Sequence, residues 1–169
     1  MIRMVHLACI PCIACNDMAA NEAELIYHAL NTTVGEIADQ AIQSNQEEVS
    51  IQATLSETWE GQIEANGSQA VSGNKILYVL RMHLTEVYVP AQHVSMTGSV
   101  SVNIAYFLDP TDRESYETTL TIGGDVLADL DASGEADIQY DTVEQYSAVT
   151  GTTIFTSEGY ISGHDVSLW

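Results

Sequence analysis

The stretch over residues 116–142 alternates apolar and polar side chains on both sides of a turn that contains glycine. Apolar residues recur at even positions over 120–130 and again over 136–140, while most odd positions carry Thr, Asp, Glu or Gln. A period of two is typical of a β-strand with one dry face. The pattern therefore predicts one long antiparallel hairpin whose even residues face the core.

The turn of this hairpin predicts a register. If residues 132–134 form a three-residue loop with Gly134 in the left-handed conformation, Asp131 lies opposite Glu135. Leu130 then faces Ala136, and the pairing extends along both strands with every apolar residue on one side. This register also predicts a run of opposed acids on the wet face of the hairpin.

A second pattern, with helical spacing, precedes the strands. Apolar residues fall on one stripe between acidic and amide residues, which predicts a helix over residues 21–46 packed on a sheet. Asn21 and Glu24 have the spacing of a capping box. The stripe comprises Ile26, Leu30, Val34, Ile37 and Ala41.

Further alternating segments complete the fold prediction. Residues 49–65 predict a long strand bent at Gly61, and residues 66–74, rich in Gly, Ser and Asn, predict a loop. Residues 75–89, apolar on both faces in their first half, predict a strand buried on both sides there. A strand over residues 94–108 and one or two edge strands near the end follow.

The expected fold class is mainly β. An N-terminal helix precedes a six- or seven-stranded antiparallel up-and-down meander, curved into a half-barrel or a sandwich with the helix on its concave side. Residues 49–169 form the β domain, and residues 21–169 form one folded unit. The turn at residues 109–112 places Leu108 opposite Tyr116.

The charge of the chain restricts its partners. Only four Lys and Arg stand against 24 Asp and Glu, giving a formal net charge of −20. Such a field repels the phosphates of nucleic acids, so a nucleic-acid-binding role is not expected. The acids are interleaved with apolar residues along the whole chain, which indicates a folded acidic surface and not a disordered tail.

The first residues read MIRMVHLACIPCIAC, with Arg3 before an apolar stretch that contains no acid. The end of this stretch resembles the lipobox of bacterial lipoprotein precursors, with Ala14 at the small position and Cys12 where Leu is usual. The resemblance implies a signal peptide over residues 1–14, lipidation of Cys15 and a tether over residues 15–20. Asn16 favours the outer membrane or cell surface over the inner membrane, since an Asp after the cysteine commonly marks inner-membrane retention in the lipoproteins that this leader resembles. Asp17 follows, so the assignment of the leaflet stays open.

The same cysteines allow a rival interpretation. Cys9, Cys12 and Cys15 have the C-x2-C-x2-C spacing of a bacterial ferredoxin run. No fourth cysteine follows in the sequence, and no histidine lies close behind to complete a zinc site. The lipoprotein interpretation is therefore preferred to a metal site.

One acidic motif suggests a cation. The turn of the hairpin resembles the first half of an EF-hand loop, but Tyr140 stands where that loop has its bidentate Glu. The alternatives are a calcium site on the turn and a hairpin turn with solvated acids. The candidate calcium ligands are Asp129, Asp131, Glu135 and Asp137.

No catalytic constellation is apparent. His83, His93 and His164 are spread along the chain, and no Ser lies in a nucleophile-elbow motif, so an enzyme is not predicted. The expected function is that of a lipid-anchored, non-catalytic cell-envelope protein that binds or scaffolds a protein or small-molecule partner. One alternative is a carrier that encloses an apolar ligand between a half-barrel and its helix. The other is a small outer-membrane β-barrel, to which the final Trp169 gives a slight resemblance, although the even faces contain too much Gly and Thr for a lipid-facing band.

Overall fold

The computed structural model of this chain describes residues 18–112, 114–130 and 134–166. One helix, α1 (Ala20–Ser44), precedes the strands. The strands are β1 (Glu48–Leu55), β2 (Glu60–Ser72), β3 (Lys75–Val89), β4 (Val94–Leu108), β5 (Tyr116–Asp129), β6 (Gly134–Ser147), β7 (Thr152–Ile161) and β8 (His164–Asp165).

All eight strands form a single antiparallel sheet in sequence order, β1 to β8. Each strand pairs with its neighbours in the chain, and β1 and β8 are the edges of an open sheet. The predicted fold class, an N-terminal helix followed by a mainly β antiparallel meander, is confirmed. The bounds of β3 and β4 are those predicted, and the last strands are interrupted at residues 162–163 as expected.

The predicted single strand over residues 49–65 is wrong, because the chain turns back there to form the hairpin β1–β2. The backbone N–H of Ser56 donates to the carbonyl of Trp59 at 3.0 Å and closes the turn. Val49 and Ile63 lie on the same buried side although they belong to different strands. Because the turn keeps odd residues on one face, the alternation continues through it and does not reveal it.

The predicted loop over residues 66–74 is also mostly strand. Asn66 pairs with Ser50 of β1 on one side and with Arg81 of β3 on the other, and only Gly73 and Asn74 form the turn into β3. Small polar residues here occupy two hydrogen-bonded ladders, so sheet pairing prevails over their weak strand propensity.

The hairpin β5–β6 exists as predicted, but its register is wrong by four residues. Asp125 lies opposite Asp137, and Ala128 lies opposite Gly134, so Gly134 begins β6 and the connection covers residues 130–133. An even shift leaves every side chain on its predicted face, so the apolar pattern cannot distinguish the two registers. The predicted pairing of Leu108 with Tyr116 between β4 and β5 is confirmed.

Helix α1 covers the concave face of the sheet with the predicted stripe, from Ile26 to Ala41, fully buried. It begins one residue earlier than predicted. The backbone N–H of Ala19 donates to the Glu22 carboxylate at 2.8 Å, so the cap does not use Asn21 and Glu24. Asn45, with a φ of 48°, ends the helix in the left-handed conformation.

The core lies between α1 and the inward-facing residues of β2 to β7. The phenol of Tyr140 donates to the Asn31 side chain at 3.0 Å, and its ring meets Tyr27 edge to face at 5.0 Å. Packing is one-sided, because Leu77 and Val79 of β3 point outward and are 37% and 58% exposed. The expected double burial of early β3 is therefore wrong, since α1 covers the concave face alone.

The Glu36 carboxylate of α1 binds the β1–β2 turn through hydrogen bonds. The Glu36 carboxylate accepts hydrogen bonds from Trp59 Nε1 at 2.9 Å, from Ser56 Oγ at 3.1 Å and from Thr58 Oγ1. The Trp59 ring is only 1% exposed. Each donor is satisfied by one charged acceptor, so this contact joins the edge hairpin to the core.

Candidate ligand pocket between the helix and the sheet

A cavity of about 270 Å³ lies between the C-terminal half of α1 and the inward faces of the sheet strands. Ala38 and Ile42 line it from the helix, and Leu120 of β5 and Phe155 of β7 line it from the sheet. Its wall is mostly apolar, with a few polar groups among the apolar ones. Such a lining is typical of small-molecule sites.

The cavity exists because α1 carries small residues where it passes this part of the sheet. Gly35 lines the cavity, and a Cβ built on it would meet no heavy atom within 4 Å. Gly within a helix costs about 0.5–1 kcal/mol relative to Ala. No neighbouring atom excludes a side chain here, so the missing side chain of Gly35 adds to the open space of the cavity.

Aromatic rings form one wall of the cavity. Tyr106 of β4 and Tyr116 of β5 both line it, with ring centroids 5.7 Å apart. Tyr146 of β6 continues the row at 5.4 Å from Tyr116. The rings lie side by side because the three residues occupy inward positions at the same end of neighbouring strands.

Two carboxylates also line the cavity, Asp39 from α1 and Glu144 from β6. The Tyr116 hydroxyl donates to Glu144 Oε1 at 2.9 Å. Burial, followed by this hydrogen bond, raises the pKa of Tyr116 to about 12. Burial also raises the pKa of Asp39, with the charges of Glu144 and then Glu36 adding to the effect. The cavity therefore combines an apolar body with a concentrated negative charge.

We expect Asp39→Asn to stabilise the empty protein near neutral pH. A raised carboxyl pKa contributes stability that is present below the unfolded value, about 3.9, and is lost as pH rises through the folded value. Asp39→Asn removes the charge and therefore removes this loss of stability. We expect its melting temperature to rise by only about 1–2 °C, because Asp39 is partly exposed and solvent screens its charge. Thermal melts of the wild type and the variant from about pH 3 to 7 measure this difference in melting temperature. Glu135→Gln is the control, and an equal gain in both variants would contradict the local cause.

Of the predicted calcium ligands, Asp129, Glu135 and Asp137 lie within the described residues, and each lies opposite a different partner. Asp129 lies opposite Ser95 of β4, Glu135 opposite Leu127, and Asp137 opposite Asp125, while Asp131 lies outside the described residues. Within residues 18–112, 114–130 and 134–166, no three His, Cys, Asp or Glu side chains are placed to hold a metal ion. The shifted register separates Asp129 from Asp137, which the predicted loop placed face to face.

The three histidines considered from the sequence lie at separate places. His83 Nδ1 is 2.9 Å from Ser99 Oγ on the convex face, and His93 Nδ1 is 3.3 Å from the Tyr88 hydroxyl. His164 Nε2 contacts the carbonyl oxygen of Met18. Cys9, Cys12 and Cys15 lie outside the described residues, so the lipidation of Cys15 stays a prediction.

The pocket residues were not predicted from the sequence, although one signal was present. Glu144 occupies an even, inward-facing position of β6, two residues after Thr142. An acid in the apolar phase of a strand indicates either the end of the core or a polar site within it. Gly35, in the middle of a helical stripe, was the second signal.

The chain matches no known protein family, no curated protein and no solved structure. In the part of the chain that the structure describes, no helix is long and apolar enough to cross a membrane. Any functional interpretation therefore depends on the pocket, the charge and the sequence of this chain alone.

Proposed function

We propose that this chain is a lipid-anchored, non-catalytic protein of the cell envelope that binds and carries a small, largely apolar ligand between α1 and the sheet. The observation that supports it most is the cavity of about 270 Å³ beside Gly35. An interior larger than its own side chains fill favours the carrier alternative expected from the sequence, and this cavity supports that alternative.

The size of the cavity supports a ligand of modest dimensions. An apolar cavity of about 150 Å³ binds benzene. A cavity of about 270 Å³ therefore suits a molecule of roughly ten non-hydrogen atoms. The hydroxyls and carboxylates in the lining, including those of Thr118 and Glu144, can orient such a ligand.

The lining supports ligand binding, and its acid–base groups are the carboxylates of Asp39 and Glu144 and the tyrosines. The residues that line the cavity in the described part of the chain include no His, Cys or Lys that could act as a base or nucleophile beside a bound ligand. The Tyr116 hydroxyl donates to Glu144, and its raised pKa keeps it protonated at neutral pH. Both groups are suited to hold a ligand in place.

The anchor follows from the leader, and the fold is compatible with it. Met18 packs against the core, and its carbonyl oxygen contacts His164 of β8. Only Asn16 and Asp17 separate Met18 from Cys15 in the sequence. A lipid on Cys15 would therefore hold the domain close to the bilayer surface.

Intact-mass measurement of the membrane-extracted protein tests the anchor. We expect a chain that begins at Cys15 and carries acyl groups, and Cys15→Ser should be unprocessed or released into the soluble fraction. Cys9→Ser, which changes a cysteine that the lipobox does not use, should be processed normally. A chain that retains Met1 and binds iron or zinc would contradict the anchor.

Calorimetric titration tests the pocket with two water-soluble probes of matched shape, 2-phenylethanol and 2-phenylethylammonium. We expect at least one to bind the wild-type protein. We expect neither to bind Gly35→Leu, whose side chain would occupy the cavity. Gly35→Ala, which adds one methyl group and favours the helix, should still bind. Equal binding by the wild type and Gly35→Leu would place the ligand elsewhere and contradict the proposal.

A further inference from the structure

We propose that the occupant of this pocket is an organic cation, a primary or quaternary ammonium group on an apolar body. This inference rests on the proposed function and specifies the chemical class of its ligand. Three independent features support it: the carboxylates, the aromatic wall and the position of the protein's own cations.

The carboxylates of Asp39 and Glu144 face the cavity from opposite layers, one from the helix and one from the sheet. The charge of Glu144 raises the pKa of Asp39, so the empty pocket holds two like charges close enough to interact. A single positive charge between them relieves that repulsion. An anionic ligand would increase it, and a neutral ligand would leave it unchanged.

No basic side chain of the described residues supplies this charge. Lys75 and Arg81 are the Lys and Arg residues within the described ranges, and both occupy outward positions on β3. α1 and the pocket lie on the other side of the sheet. The pocket carboxylates therefore have no Lys or Arg partner in the described part of the chain, and a cationic ligand can provide one.

The aromatic wall supplies the second feature. Tyr106 and Tyr116 line the cavity beside Glu144, and Phe155 lines its β7 side. Aromatic faces attract ammonium groups, and quaternary ammonium ligands are commonly recognised by several rings together. Ala38, Ile42 and Leu120 complete the lining with apolar surface that an ammonium group alone would not use.

Matched probes separate charge from shape. 2-Phenylethylammonium, 2-phenylethanol and phenylacetate share an apolar body of similar size and differ in charge. At about pH 7 and about 0.15 M salt, where long-range attraction is screened, we expect the cation to bind at least tenfold more tightly than the alcohol. Phenylacetate should bind most weakly of the three.

Charge-neutralising variants locate the effect. We expect Asp39→Asn and Glu144→Gln each to lower the affinity for 2-phenylethylammonium at least fivefold, while the affinity for 2-phenylethanol changes less than twofold. Glu135→Gln is the matched control because it changes the net charge equally. Glu135 lies on the outward face of the same strand, nine residues or roughly 30 Å from Glu144. The Glu135→Gln variant should bind all three probes with the affinities of the wild type.

The outcomes distinguish this inference from the proposed function. If the alcohol binds as tightly as the cation, the pocket is a ligand site but not a cation site, and the inference is overturned alone. If Glu135→Gln loses as much affinity as Asp39→Asn, the attraction comes from the whole acidic surface, which also overturns it. If none of the three probes binds, the proposed function fails together with the inference.

Discussion

Trp59→Ala should lower the free energy of unfolding by about 3–5 kcal/mol, the usual cost of removing a large buried aromatic side chain. The Trp59 ring is 1% exposed, and its Nε1 donates to the Glu36 carboxylate at 2.9 Å. The substitution therefore leaves a cavity and removes a hydrogen bond to a charged group. Equilibrium unfolding in urea, monitored by far-ultraviolet circular dichroism, measures the change.

Trp59→Phe is the matched control, because it keeps an aromatic ring but removes the N–H donor. We expect its free energy of unfolding to fall by about 1–3 kcal/mol, because the hydrogen bond to a charged acceptor is lost while most of the packing of the ring is kept. A loss below about 1 kcal/mol in Trp59→Ala would contradict the account. It would mean that the β1–β2 hairpin contributes little to the cooperative core.

Gly124→Ala should lower the free energy of unfolding by a similar amount, because of a steric clash and not because of a cavity. Gly124 lies on the concave face with a φ of 152°, and an added Cβ would lie 2.4 Å from the backbone oxygen of Ser99. Gly98 on the neighbouring strand makes the reciprocal approach, with its Cβ position 2.4 Å from the Asp125 oxygen. Such glycines let adjacent strands bend sharply, which curls the sheet around α1.

We expect Gly124→Ala to cost roughly 2–4 kcal/mol, because the contact is with backbone that cannot rotate away. Gly123→Ala provides the control one residue away. Its Cβ would meet only the Ile138 oxygen at 3.6 Å, an ordinary contact, so the variant should be unchanged or stabilised by up to about 1 kcal/mol. Equal effects at the two positions would contradict the close approach. Differential scanning calorimetry measures the stability of both variants relative to the wild type.

The sequence predicted which residues face the core better than it predicted which residues pair. The period of two placed Ile104, Ile122 and Ile138 on the dry face, and all three are buried. The same period is unchanged by a turn that preserves parity and by a shift of four residues. The β1–β2 turn and the β5–β6 register were therefore predicted wrongly although most side chains of these strands lie on their predicted faces.

The pocket was beyond prediction for a different reason. Asp39, Tyr106, Tyr116 and Glu144 come from three strands and a helix, and only the sheet order and the crossing of α1 bring them together. Periodicity assigns each of them to a face but not to a common point. The calcium hypothesis stays a prediction, because Asp131 lies outside the described residues, and the register sets Asp137 opposite Asp125 instead of opposite Asp129.

A small cation is proposed to bind between α1 and the inward faces of β4 to β7. Amide chemical shifts of nitrogen-15-labelled protein, titrated with 2-phenylethylammonium, test it most directly. We expect saturable changes in amide chemical shift over residues 35–43 of α1 and at Tyr106, Tyr116 and Glu144. None of these changes should occur in Gly35→Leu. Shifts spread over the convex acidic surface, or retained in Gly35→Leu, would contradict it.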